Sequence, residues 1–202
     1  MPYGYVGDIS TKIKQSKKNN GVLSVNEVAD LENEANWGGS LELIQTQTIS
    51  SGSTMAFTSI KENRYDTHFI QGTNIESSSA SVAIRLSNDG GSSYEAGTSY
   101  QLGLQYMTTA GSSGYVASAG TSYMEFVSDN NNRCGYAYLH NLGNSSLYSY
   151  SSYQQMAAGV MSFGGGCYKV AETINAIQVL TTNGNAWTGT VSLYGVKDLW
   201  VI

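Results

Sequence analysis

The sequence contains little charge, one proline and two cysteines. Asp, Glu, Lys and Arg make up 12% of the 202 residues, about half of their usual share in globular domains. No apolar run approaches the roughly 18 residues of a membrane helix, so we expect no membrane insertion. Cys134 and Cys167 match neither a disulfide framework nor a CxxC site. We interpret them as buried free thiols, with a single bridge formed after release as the alternative.

The balance of charge is acidic. The formal net charge is −5 and the isoelectric point is near 4.9. A protein of this charge has no overall electrostatic attraction to DNA or RNA, so we expect no nucleic-acid partner. The N-terminus lacks the basic-then-apolar pattern of a secretion signal. We therefore expect synthesis and assembly in a cytoplasm.

Signatures of catalysis are absent from the sequence. It has no GxSxG elbow, HExxH helix or Walker A loop, and its two histidines are His68 and His140. Asp66 and His68 share a predicted strand face without an evident third ligand. We interpret them as a surface pair and expect no metal and no cofactor. Glu125 interrupts an apolar run and is predicted to point outward. We expect no enzyme, with a polysaccharide depolymerase built on paired carboxylates as a minor alternative.

Residues 1–40 differ in pattern from the rest of the chain. Ser24 and Glu27 fit a capping box, and apolar residues recur at helical spacing after Ser24. This predicts an N-terminal arm with one short helix over roughly 25–36. The arm carries four clustered lysines that are either a solvated basic stretch or a docking surface for the particle or a neighbouring subunit: Lys12, Lys14, Lys17 and Lys18.

From residue 41 to residue 202, apolar residues recur at every second position within short runs. Val82, Ile84 and Leu86 show it, and Gly- and Asn-rich turn clusters separate such runs. Alternation of this kind is typical of half-buried antiparallel strands. About ten short strands with turn signals between them predict an all-β domain over 41–202, an antiparallel β-sandwich that is jelly-roll-like.

Tyrosine is the most abundant large side chain. Ten of the 15 tyrosines lie between Tyr94 and Tyr153. Alternation predicts that Tyr136 and Tyr138 share one strand face and that Tyr148 and Tyr150 share another. Tyrosine serves core or ladder packing, protein interfaces and sugar stacking, and all three uses remain open here. The candidate residues for a glycan or subunit interface are Tyr136, Tyr138, Tyr148, Tyr150 and Tyr153.

Several segments, in their order along the chain, resemble structural proteins of marine phages, including those that infect cyanobacteria. The opening of such proteins is similar to Gly7-Asp8, Lys12–Gln15, Asn20–Leu23 and Gly38–Ile44. Leu86–Tyr94 resembles a hairpin of their fibre-like modules, and their closing strands are similar to Ile174–Ile177 and Gly189–Val196. The family has no catalytic motif to carry over.

The resemblance implies a virion component assembled in the host cytoplasm. We expect a tail- or fibre-associated module, a homotrimer, that its N-terminal arm fastens to other phage structural proteins. The sandwich would face host surface glycans and serve in host recognition. The alternative is a capsid decoration protein that clamps neighbouring shell subunits.

Overall fold

The computed structural model describes residues 40–78, 80–127 and 133–197, which form an antiparallel β-sandwich. These residues contain no helix, and hence none long and apolar enough to cross a membrane. The predictions of an all-β fold and of a sandwich are confirmed. The arm predicted over residues 1–40, apart from Ser40, and its helix over 25–36 lie outside the described residues.

Twelve strands occur in the described part of the chain, two more than the turn signals predicted. They are β1 (Leu41–Gly52), β2 (Thr54–Phe57), β3 (Thr67–Ser77), β4 (Val82–Ser87), β5 (Tyr100–Thr108), β6 (Ser113–Thr121), β7 (Met124–Val127), β8 (Arg133–His140), β9 (Ser149–Ala157), β10 (Val160–Tyr168), β11 (Ala176–Thr181) and β12 (Trp187–Val196).

The strands form two sheets of unequal size. The large sheet has eight strands in the order β1-β12-β3-β8-β9-β10-β5-β6, and the small sheet has four in the order β2-β11-β4-β7. Every pairing between neighbours is antiparallel. The first and last strands pair with each other, with Leu41 opposite Val196.

The core lies between the two sheets and follows the alternation seen in the sequence. Ile84 and Val179 face it from the small sheet, and Ile70, Leu139 and Val191 face it from the large sheet, all fully buried. Burying an aliphatic side chain of this size contributes about 1.5–3 kcal/mol. A row of such side chains on each sheet therefore holds the two layers together.

The large sheet extends past the edge of the small one. The small sheet ends at β7, and β6 at the far edge of the large sheet has no buried residue. The inner face of the β5–β6 hairpin is consequently open beside β7. A groove forms at this overhang.

The segment Leu86–Tyr94, which resembles a hairpin, has a different role. Strand β4 ends at Ser87 in the small sheet, whereas β5 begins at Tyr100 in the large sheet. The segment thus connects the two sheets, and the hairpin prediction is wrong.

Asp89 orders the turn by accepting hydrogen bonds from the Ser93 amide at 3.0 Å and the Ser93 hydroxyl at 2.6 Å. These bonds stabilise the carboxylate and lower the pKa of Asp89.

Candidate functional site

The tyrosines predicted to share a strand face do so on the outer side of the large sheet. Tyr136 and Tyr138 point outward from β8 and are each 37% exposed. Tyr150 points outward from β9, and Tyr148 is exposed just before that strand begins. Cross-strand register places Tyr150 opposite His140, so these side chains lie on one continuous surface.

Tyr153 is on the opposite face, and its prediction as an interface residue is wrong. It is 4% exposed and packs in the core between the sheets. Successive side chains of a strand point to opposite faces of the sheet. On β9 the inward positions are those of Ser149, Ser151 and Tyr153, whereas Tyr150 points outward. Tyr153 is thus the one aromatic ring on the buried faces of β8 and β9.

Aromatic side chains on the outer face contact each other across strands. The ring centroid of Phe69 on β3 lies 5.1 Å from that of Tyr138 and 5.7 Å from that of Tyr136. Tyr138 stacks on His140 at 6.3 Å, and the Tyr136 hydroxyl donates a 2.8 Å hydrogen bond to Gln154 Oε1. Such contacts restrain the rings, so a partner would meet a rigid surface.

Four neighbouring strands carry no Asp, Glu, Lys or Arg at their outward positions. On β8, β9, β10 and β5 these positions hold aromatic, methionine, small and uncharged polar side chains. We call the large apolar side chains of this face the outer patch. It consists of Phe69, Tyr136, Tyr138, Tyr150, Met156, Met161, Phe163 and Met107.

A shallow trough of small residues crosses the outer patch. Ser152, Gly165, Gly103 and Ala117 face one another on four successive strands. At Gly103 an added Cβ would find no atom within 4 Å, so the trough is open above this residue. Tyr150 and Phe163 rise on either side of it. The outer face therefore offers both projecting rings and a recess that could receive a partner's side chain.

Both cysteines lie on this outer face and are free. Cys134 is exposed and Cys167 is half-buried, so the interpretation as buried thiols is wrong. Cys134 is opposite Met156 of β9, whereas Cys167 is opposite Tyr150, at the other end of that strand and on its other side. A disulfide needs Cα atoms within about 7 Å. The register therefore rules out a bridge within one chain.

The groove at the sheet overhang is a second candidate site, and the sequence did not predict it. Its volume is about 530 Å³. Glu125 lines it and is 6% exposed, so the prediction that Glu125 points outward is wrong. Burial disfavours the charged carboxylate and raises the pKa of Glu125, opposed by the Ser81 hydroxyl and by Arg133. The only sequence signal was one acid within an apolar run.

His68 is buried, in contrast to the predicted surface pair with Asp66. It is fully buried, while Asp66 is exposed. His68 Nε2 lies 2.7 Å from the carbonyl oxygen of Ile60. Since a carbonyl only accepts, the Nε2–H donates. Burial lowers the pKa of His68.

Within residues 40–78, 80–127 and 133–197 no three His, Cys, Asp or Glu side chains are grouped as a metal site.

Comparison with known proteins identifies no family. No protein family and no curated protein matches the sequence. Among 34 similar solved chains, a human SPRY domain shares 7% identity over 75% of this chain and 96% of its own, with a TM-score of 0.36. The marine PL-14 alginate lyase from Aplysia kurodai shares 8% identity, covers 79% and 87%, and has a TM-score of 0.29.

A third solved structure is the Scytalido-glutamic peptidase with a bound transition-state analogue. It shares 8% identity over 73% of this chain and 65% of its own, with a TM-score of 0.25. At TM-scores below 0.5, none of these similarities bears on function.

The two candidate sites suit binding. The outer patch presents apolar and uncharged polar groups, which suit contact with another surface. In the groove, Glu125 is the one carboxyl among the described lining residues. Glycoside hydrolysis generally needs two carboxyls. The predicted docking lysines, Lys12, Lys14, Lys17 and Lys18, lie outside the described residues.

Proposed function

We propose that this chain is a non-enzymatic structural protein of a phage particle, a tail- or fibre-associated module that forms a homotrimer through its outer patch. Its sandwich has a jelly-roll-like topology. The N-terminal arm over residues 1–40, with its lysines, attaches the module to other virion proteins. The protein assembles in the host cytoplasm.

The observation that carries this proposal is the uncharged outer patch. Exposed Tyr, Phe and Met side chains are enriched in protein interfaces, and charged residues are depleted at interface centres. Tyr150, Met156 and Phe163 are 44%, 56% and 43% exposed in the single chain. A contiguous exposed apolar surface on a soluble protein generally marks a binding site.

A second copy of this chain is the occupant that the charge distribution favours. The chain carries a net charge of −5, so two copies repel each other overall. Around a three-fold axis the outer face of each copy borders the outer face of the next, and like charges on that face would be costly. The outward positions of β8, β9, β10 and β5 avoid this cost. Three such faces around an axis would bury the patch in a trimer.

The location in the particle is tested by labelling. In particles purified from an infected culture that produces this protein, we expect gold-labelled antibody to decorate the tail, with a few to a few tens of copies per particle. Labels over the whole head, at hundreds of copies, would establish the decoration protein instead. Absence of the protein from purified particles would refute any virion role.

Charges introduced into the outer patch are expected to dissociate the oligomer. In the double variant Tyr136→Glu/Tyr138→Glu, each interface would bury carboxylates, weakening association about 100-fold or more. Light scattering coupled to gel filtration should show three chains for the unmodified protein and one chain of 21.6 kDa for the variant.

The matched control is Thr54→Glu, which adds a carboxylate at an exposed position of the small sheet. This variant should remain a trimer. An unmodified protein that stays monomeric at high concentration, or a double variant that associates as well as the control, would contradict the proposed interface. Circular dichroism establishes that all three proteins are folded.

A further inference from the structure

The groove at the sheet overhang has a lining of mixed chemistry. Leu102, Leu104 and Val116 form an apolar surface from β5 and β6. The aromatic rings of Tyr106 and Tyr123 are half-buried. Four hydroxyl side chains complete the wall around the single carboxyl of Glu125: Ser81, Thr108, Ser118 and Thr121.

Glu125 occupies an unusual position for a carboxyl. It lies in β7, the edge strand of the small sheet, where all four residues are buried. A buried carboxyl is costly unless it is hydrogen-bonded or paired. Ser81 and Arg133 stabilise its charged form, yet burial is the larger effect and raises the pKa of Glu125. A carboxylate has about four acceptor positions, and the Ser81 hydroxyl is a single donor, so acceptor positions remain for a ligand.

A second buried polar group lies near Glu125. The Tyr153 hydroxyl is buried and has no hydrogen-bond partner among the described residues. Burial and the negative charge of Glu125 both raise the pKa of Tyr153, which places the two groups in one electrostatic environment. An unsatisfied buried hydroxyl is itself costly. Tyr153 is not among the residues that line the groove, so a ligand there would meet Glu125 rather than this hydroxyl.

The charges around the groove select against ionic ligands. A cationic ligand attracted to Glu125 would also meet the field of the buried Arg133 guanidinium, which acts on the same carboxyl. An anionic ligand would meet the carboxylate of Glu125 directly. A neutral ligand with several hydroxyls avoids both costs, and its C–H face can pack on aromatic rings such as Tyr106 and Tyr123.

We infer that the groove between the β5–β6 hairpin and β7 binds a neutral sugar ring, with Glu125 accepting hydrogen bonds from its hydroxyls. This assigns glycan contact to the groove, whereas the sequence offered tyrosines as candidates for a glycan or subunit interface. The inference goes beyond the proposed function, which assigns no ligand, and the expectation from the sequence that the sandwich faces host surface glycans supplies the source of the sugar. Sugar binding is measured on the isolated full chain, so it succeeds or fails independently of the particle location and of the oligomer.

The test is titration of the full chain with neutral monosaccharides. Saturation-transfer NMR and calorimetry with D-glucose, D-galactose, D-mannose and N-acetyl-D-glucosamine should detect binding of at least one of them. Val116→Trp should abolish it by filling the groove. Tyr115→Trp adds the same side chain at the next residue of β6, on the opposite face and 78% exposed, and should leave affinity unchanged.

Glu125→Gln tests the carboxyl itself. Loss of a charged hydrogen-bond acceptor should weaken binding about tenfold or more. The pKa of Glu125 is higher in the folded protein than in the unfolded chain. Its contribution to the stability of the fold is therefore lost as pH rises from the unfolded pKa through the folded pKa. The variant should therefore melt at the same or a higher temperature than the unmodified protein at pH 8. Failure of all four sugars to bind, or equal binding by Val116→Trp, would overturn the inference.

Discussion

Replacing Arg133 by alanine is expected to destabilise the sandwich by about 3–5 kcal/mol. Arg133 is 1% exposed, and its guanidinium donates to the carbonyl oxygens of Ala80 and Val127 and to the Ser77 hydroxyl at 2.5 Å. It thus joins β8 of the large sheet to the end of β7 and to the segment between β3 and β4, which lie together at one end of the small sheet. Alanine would leave these acceptors buried without a donor and would leave a cavity. Urea unfolding followed by circular dichroism measures the loss.

Two controls separate this effect from the loss of a positive charge. Arg133→Lys keeps the charge but loses the planar fork of donors, so it should recover only part of the stability. Arg64→Ala removes a more exposed guanidinium that is 3.0 Å from Glu42. Exposed ion pairs contribute about 0–1 kcal/mol. If Arg133→Ala costs no more than Arg64→Ala, the proposed link between the sheets is wrong.

Adding one methyl group at Gly195 is expected to cost about 2–3 kcal/mol. Gly195 lies in β12 between Glu42 and His68 of the neighbouring strands. The Tyr65 ring covers it so closely that an alanine Cβ would overlap three ring atoms. Tyr65 is 2% exposed and packs edge-on against His68, so the ring has little room to move. The melting temperature of Gly195→Ala reports the cost.

Gly103→Ala is the matched control for this substitution. Gly103 also lies within a strand of the large sheet, but an added Cβ there meets no atom within 4 Å. Alanine has less backbone freedom than glycine in the unfolded chain, so less conformational entropy is lost on folding. This variant should therefore be as stable as the unmodified protein, or more stable by up to about 1 kcal/mol. Equal losses at the two sites would show that strand glycines matter here for reasons other than space.

Alternation predicted the strands but did not determine which face of each would be buried. Val82, Ile84 and Leu86 are apolar on one face, and all three are buried as that pattern indicates. Strand β9 reads Ser-Tyr-Ser-Ser-Tyr-Gln-Gln-Met-Ala, with polar residues on both faces. Its inward face is set by the small sheet packed beneath it. The burial of Tyr153 therefore depended on tertiary structure.

The groove was not predictable from the sequence for a related reason. It exists because the large sheet has four more strands than the small one, and a sequence pattern does not reveal how many strands join each sheet. Glu125 is buried because β7, although an edge strand, packs against the large sheet, whose strands extend past it. The outer patch was partly predictable, since Tyr136 and Tyr138 alternate clearly. The additional members Phe163, Met156 and Met107 come from strands whose neighbours only the register identifies.

The pairing of β1 with β12 has a kinetic consequence for synthesis. The strand that begins the sandwich finds its partner only when the last strand has left the ribosome. Contacts between residues this distant in sequence slow folding, because a long loop closes before they form. Until then β1 remains an unpaired edge strand that can pair with another chain. We therefore expect the sandwich to close only once its twelfth strand has been made, on a timescale on which neighbouring nascent copies compete for the same edge.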